Sequence, residues 1–164
     1  MTKPNECLEL ALSIKQPWAT LILMGLKSIE IRQWSTPIRG RIYLHTGKIA
    51  DDRAEGWALV PEEHRELTER RGGVVGMVDL VKCLTYDSPR TFARDCQLHR
   101  NHKSWFVPPR LYGFQLERPA IVPFYPWPGQ VKFFPFDLPK TQRPSRAKKS
   151  RVGNAKKVVQ FEIE

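Results

Sequence analysis

Gly25, Lys27, Glu30 and Arg32 form the pattern G-x-K-x-x-E-x-R, the densest grouping of reactive side chains in the sequence. Lys27 carries a point charge and Arg32 a planar fork of donors, and both groups suit a phosphate. Glu30 is an acceptor for the exocyclic amine of a base such as cytosine. Trp18, Trp34 and Trp105 offer faces on which an unpaired base can stack, a contact worth about 1 to 3 kcal/mol per base. Trp34, between a charged strand end and a turn, is the better placed of the three. Lys15, Gln16 and Lys48 complete a set of nucleic-acid contacts around this grouping. Two readings stand side by side: Glu30 and Arg32 touch a ligand or pair with each other to hold a cleft, and Trp18 stacks on a base or packs in the core.

His45 lies in the run Leu44-His45-Thr46-Gly47-Lys48, where Gly47 lets a ligand approach the backbone. Its imidazole is either a proton-transfer group, since its unperturbed pKa lies near neutrality, or a hydrogen-bonded structural residue. Cys96, His99 and His102 have the spacing CxxHxxH and are zinc-ligand types. No second ligand pair follows them, so they read as surface polar groups and a small thiol, with no metal and no other cofactor expected.

The elements that must position these groups follow from the periodicity. Leu8, Leu10, Leu12 and Ile14 alternate as a strand does, and the period then changes to a helical one through Trp18, Leu21, Ile22 and Met24, closed by Gly25. Ile29 and Ile31 oppose Ser28, Glu30 and Arg32 on the next strand, which places the glutamate and arginine on one face. Residues 41–47 give another strand, residues 50–71 two helical pieces with Pro61 opening the second, and Val74–Leu84 a central strand in which Gly76 marks a bulge or a close backbone approach. Residues 87–109 read as a long excursion with a turn of helix. Residues 111–117 return to strand, and the proline-rich stretch after them suits edge strands and rigid loops. Strands dominate, and the expected fold is α+β: a small, curved, mostly antiparallel β-barrel with short helices packed outside.

The chain has 164 residues, enough for one core, and a net charge of +10. Residues 1–139 hold 19 basic and 15 acidic side chains, a net +4, whereas residues 140–164 hold 8 and 2, a net +6. The run 140–157 contains no acid and, among large apolar residues, only Val152, so it reads as a flexible basic arm in which Lys148, Lys149 and Arg151 neutralise phosphates. Residues 158–164 alternate like a short edge strand. Three scattered cysteines, a polar start and the absence of any long apolar run point to a reduced, cytoplasmic, monomeric protein that neither enters a membrane nor is secreted.

The ordered series Ser13-Ile14-Lys15-Gln16-Pro17-Trp18-Ala19, Gly25 to Arg32, Arg39-Gly40, Leu44 to Lys48, Ser104-Trp105-Phe106 and Tyr112-Gly113-Phe114 resembles the ASCH domain family, of which GxKxxExR is the signature. The resemblance covers residues 8–138 and leaves the basic tail outside. It implies a PUA-like barrel with a cleft beside the first helix, and binding of nucleic acid, RNA before DNA, through an exposed or modified base. Some members of the family hydrolyse acylated cytosine nucleosides with a lysine, a threonine nucleophile and a carboxylate. Here the lysine falls on Lys27 but the threonine position holds Glu30, so the resemblance departs from that pattern where the nucleophile should be. A hydrolase or ribonuclease using Lys27, Glu30 and His45 is the alternative to a binding domain, with Ser28 or Asp79 as further candidates.

Overall fold

The computed structural model describes residues 9–137. The chain starts with β1 (Leu10–Ile14), whose Leu12 and Ile14 are buried as their alternation requires. Next comes α1 (Trp18–Leu23), in which every side chain is buried. Gly25 ends this helix in the left-handed region at φ +73°, with the amides of Gly25 and Leu26 closing back on Ile22 and Leu21. That turn delivers the chain into β2 (Ile29–Arg32), followed by β3 (Gly40–Thr46) and the short helix α2 (Ala54–Ala58). A 3-10 stretch (Glu62–Glu69) opened by Pro61 leads to the long β4 (Gly73–Tyr86).

Residues 87–109 are more ordered than their weak periodicity suggested. Ser88 caps α3 (Pro89–Arg94) by accepting from the Thr91 amide, and α4 (Cys96–His99) and a 3-10 turn (Lys103–Trp105) follow. Phe92 and His99, both fully buried, anchor this excursion with stacked rings 4.2 Å apart. β5 (Leu111–Pro126) and β6 (Phe133–Pro135) complete the fold. β5 continues through Pro119 and Pro123 as one strand, where edge strands and rigid loops were expected. The reason lies in its partners: β2 pairs only with Tyr112 to Gln115, so on that side the prolines of β5 have no neighbour to which an N–H would be owed.

The six strands form one mixed sheet in the order β2-β5-β4-β3-β1-β6, with β1 and β3 parallel and the other pairs antiparallel. The sheet is curved by irregularities along β4, but it does not close into the expected barrel, because β2 and β6 are edges that do not pair. These two strands are only four and three residues long, too short for a ladder across the gap. Aromatic rings span it instead. Trp34 sits edge-on to Phe114 of β5 at 5.1 Å and to Phe133 of β6 at 5.6 Å, and the two phenylalanines stack on one another. The seam between the edges is therefore packed at its base and open above. No described helix is long and apolar enough to cross a membrane. The basic tail, with Lys148, Lys149 and Arg151, and the expected strand at 158–164 lie outside the described residues.

Candidate nucleic-acid interface

Above the aromatic seam lies a cleft of about 370 Å3, walled by Glu30, Ile31 and Arg32 of β2, Ser13 and Lys15 at the end of β1, and Gln130 to Lys132 just before β6. Trp18, Trp34, Asp51 and Arg53 complete it. The open edge of the sheet thus becomes the candidate site.

The signature residues occupy different depths. Lys27 is 2% exposed and does not line the cleft. Its Nζ donates to the carbonyls of Ile29 and His99, each at 2.6 Å, and lies 3.4 Å from Glu30 Oε2. Burial lowers its pKa, with the Glu30 carboxylate opposing that shift. Sequence spacing suggested direct contact with phosphate; the geometry places this ammonium behind the wall, where it holds Glu30 from below. The other carboxylate oxygen of Glu30 is 3.2 Å from Arg32 Nη2, which also donates to the Ser13 carbonyl at 2.8 Å. Arg32 Nε is buried and has no acceptor among the described residues. Such an unpaired buried donor costs about 1 to 3 kcal/mol, which is why few persist without a function.

The tryptophans are held by partners that spacing did not reveal. A buried indole N–H needs an acceptor, and Trp18 Nε1 finds it 2.9 Å away in Asp51 Oδ2. Asp51 is also gripped by the Arg53 guanidinium, which holds its carboxyl well below the usual carboxylate range. Arg53 in turn lies over the Trp105 ring at 4.2 Å and over Trp18 at 5.6 Å, while the two indoles meet edge to face. Lys132 approaches the Trp34 ring at 5.5 Å. Ser13, Asp51, Arg53 and Lys132 are among the cleft residues that pattern reading missed, with Ile31, Gln130 and Val131. A signal for Asp51 and Arg53 was the charged Asp51-Asp52-Arg53 run between β3 and a helix.

The remaining candidates separate. Lys15 is exposed on the cleft wall, and Trp34 lines it. Gln16 is buried and fully engaged, capping α1 through Thr20 and donating to the Leu67 and Arg70 carbonyls. His45 is 1% exposed: its Nε2 donates to the Trp127 carbonyl at 2.7 Å, which leaves Nδ1 to accept from Ser13 Oγ at 3.0 Å. Burial keeps this imidazole's pKa below its ordinary value. Lys48 is exposed and outside the cleft. Trp105 stands behind Trp18. Asp79, bonded to Arg41 and Arg118, lies elsewhere, and neither Ser28 nor Asp79 joins Glu30 in lining the cleft.

Of the CxxHxxH residues, His99 is not a surface group. Its Nε2 donates to the Phe92 carbonyl and its Nδ1 accepts from the Asn101 amide, while His102 faces solvent and bonds Ser104. Among the described residues no cluster of three or more metal-ligating side chains occurs.

The family model for the ASCH domain matches residues 12–122, which contain the signature, part of β1, β2 to β4 and most of β5. Activating signal cointegrator 1 of Mus musculus is 36% identical over 90 residues, spanning 45% of this chain and 14% of that protein. Its Homo sapiens counterpart is 34% identical over the same shares. The chain therefore corresponds to about one seventh of the length of these curated relatives. Among solved structures, ASCH from Zymomonas mobilis superposes with a TM-score of 0.55 at 14% identity, covering 82% of this chain and 90% of that one. A point mutant of the same protein gives 0.56 at 15% identity, over 82% and 92%. These structural matches bear on the fold alone. With the signature on β2 and its turn, the cleft beside α1 and a family match over most of the described residues, the chain belongs to the ASCH domain family.

Proposed function

We propose that this domain binds nucleic acid, RNA in preference to DNA, by taking one unpaired or exposed base into the seam cleft. The observation that carries the reading is Arg32: a fixed guanidinium in the cleft wall whose buried Nε has no acceptor among the described residues, beside the oriented carboxylate of Glu30. Arg32 supplies donors to a base carbonyl or phosphate, Glu30 accepts from an exocyclic amine, and Lys27 holds that carboxylate in place. Trp18 and Trp34 bound the slot, while Lys15 and Lys132 lie on its rim for the backbone. The preference for RNA rests on the family, since no residue here distinguishes a 2′-hydroxyl. Lys148, Lys149 and Arg151 add sequence-blind attraction from the tail.

Fluorescence anisotropy with labelled single-stranded RNA, single-stranded DNA and duplex tests this. Single strands should bind more tightly than duplex, and Arg32→Ala should weaken RNA binding by about tenfold, or roughly 1.4 kcal/mol. Glu30→Gln should change which bases are favoured. Unchanged affinity in both variants would remove the cleft from the function.

One observation favours a hydrolase as the second reading. Ser13 lines the cleft, and its hydroxyl donates to the buried, carbonyl-oriented His45 behind it, which is the hydrogen-bonding order of an activated serine. Turnover of acylated cytidine that disappears in Ser13→Ala would establish it, and turnover that persists in that variant would exclude Ser13 as nucleophile.

A further inference from the structure

A second cavity, of about 430 Å3, lies between α2 and the segment from α4 to Lys103. Leu59 and Ala93 give it apolar surface, and Arg100 and Lys103 face it with one acid, Glu55, between them and α2. It adjoins the seam cleft through a shared partition. Arg53 lines the cleft and Glu55, two residues on, lines the cavity. Between them stands Trp105, 6.2 Å from the Trp18 ring on one side and 6.5 Å from the His102 ring on the other, with the Arg53 guanidinium over it.

The cation in this cavity is already in place. Arg100 takes a left-handed backbone at φ 61°, donates from Nε to the Leu26 carbonyl at 2.8 Å and from Nη1 to Gln97 at 3.0 Å, and keeps Nη2 free of described partners. Leu26 belongs to the turn that carries Lys27, and the His99 carbonyl of the same segment binds Lys27 Nζ. The two cavities are thus tied to one rigid turn, and a guanidinium fixed before binding loses little entropy on contact.

Resting on the seam-cleft reading, we infer that this cavity is a second nucleotide subsite, which receives the neighbouring nucleotide of the same RNA strand as the base in the cleft. Its phosphate lies on Arg100 and Lys103, its base lies against Leu59 and Ala93, and the backbone crosses the Arg53–Trp105 partition. Affinity therefore grows with strand length from one nucleotide to a few, with one charge-setting pair, Glu55 and Lys103, at the second position.

The test uses the full chain, with calorimetric binding of the four ribonucleoside 5′-monophosphates and the four homotetraribonucleotides. Both Glu55 and Lys103 are exposed, so their substitution leaves the fold intact. Lys103→Glu should weaken tetranucleotide binding about tenfold and Glu55→Lys should strengthen it, with neither changing the affinity for mononucleotide. Equal effects on both ligand lengths, or no effect on either, would overturn the second subsite. Loss of mononucleotide binding in Arg32→Ala reports separately on the cleft, and a wild-type chain that binds neither ligand would overturn both readings.

Discussion

Lys27 and Arg32 are two cations five residues apart in one motif, yet burial gives them different tasks. Lys27 is enclosed by two carbonyls and a carboxylate, so its removal takes a donor from the Ile29 and His99 carbonyls and from one oxygen of Glu30. Lys27→Met keeps the aliphatic stem and should cost about 3 to 5 kcal/mol of stability, as breaking a buried ion pair does. Urea unfolding checks this, and an unchanged midpoint would contradict the buried role. Arg32, with a side chain 21% exposed, should by contrast change binding far more than stability. The spacing of Gly25, Lys27, Glu30 and Arg32 sufficed to group them and to put Glu30 and Arg32 on one strand face. Depth was not legible, because the oxygen that buries Lys27 comes from His99, 72 residues away, in a segment with no readable period. The same holds for Asp51, whose tie to Trp18 spans 33 residues.

At the level of elements, local pattern was a good guide where one face decides the matter and a poor one where pairing does. β1, α1, β2 and β3 form where their periods put them, although α1 is buried on every side and β3 on both faces from Ile42 to Thr46. β5 did not read as one strand because its prolines are tolerable only where a neighbour is missing, and that absence is a property of β2's length. Gly76 was legible as a bulge or a close approach, and it is both: the register of β4 shifts beside it, and a side chain there would overlap Leu23 of α1 and come within 2.7 Å of the Ala120 carbonyl. Backbone cannot retreat as a flexible side chain can. Gly76→Ala should therefore destabilise by about 1 to 3 kcal/mol, the ordinary cost of overpacking. Thermal unfolding should show the midpoint falling by several degrees. An unaltered midpoint would mean that α1 and β5 can part at no cost, and the cleft wall they support would then be looser than its hydrogen bonds indicate.

Across the whole molecule, charge and selectivity separate along the chain. The +10 total suggests a general polyanion binder, but residues 1–139 carry only +4, and both guanidinium groups of the cleft are already paired: Arg32 with Glu30, and Arg53 with Asp51. A site whose guanidinium groups are neutralised by fixed carboxylates gains little from long-range attraction and much from geometry, since a ligand must offer acceptors and donors in the right places. The excess charge sits in residues 140–164, where no comparable acids answer it. The two contributions should therefore respond differently to salt. Each phosphate neutralised on a single strand adds about 0.7 to the slope of log affinity against log salt. Substituting Lys148→Gln, Lys149→Gln and Arg151→Gln together should reduce that slope by about 2 and leave the preference among unpaired bases unchanged. Arg32→Ala should do the reverse, blunting the preference while shifting the slope by no more than about 1. Anisotropy titrations at several salt concentrations resolve both quantities. If the tail substitutions altered base preference, the division of labour would fail and the tail would have to enter the cleft.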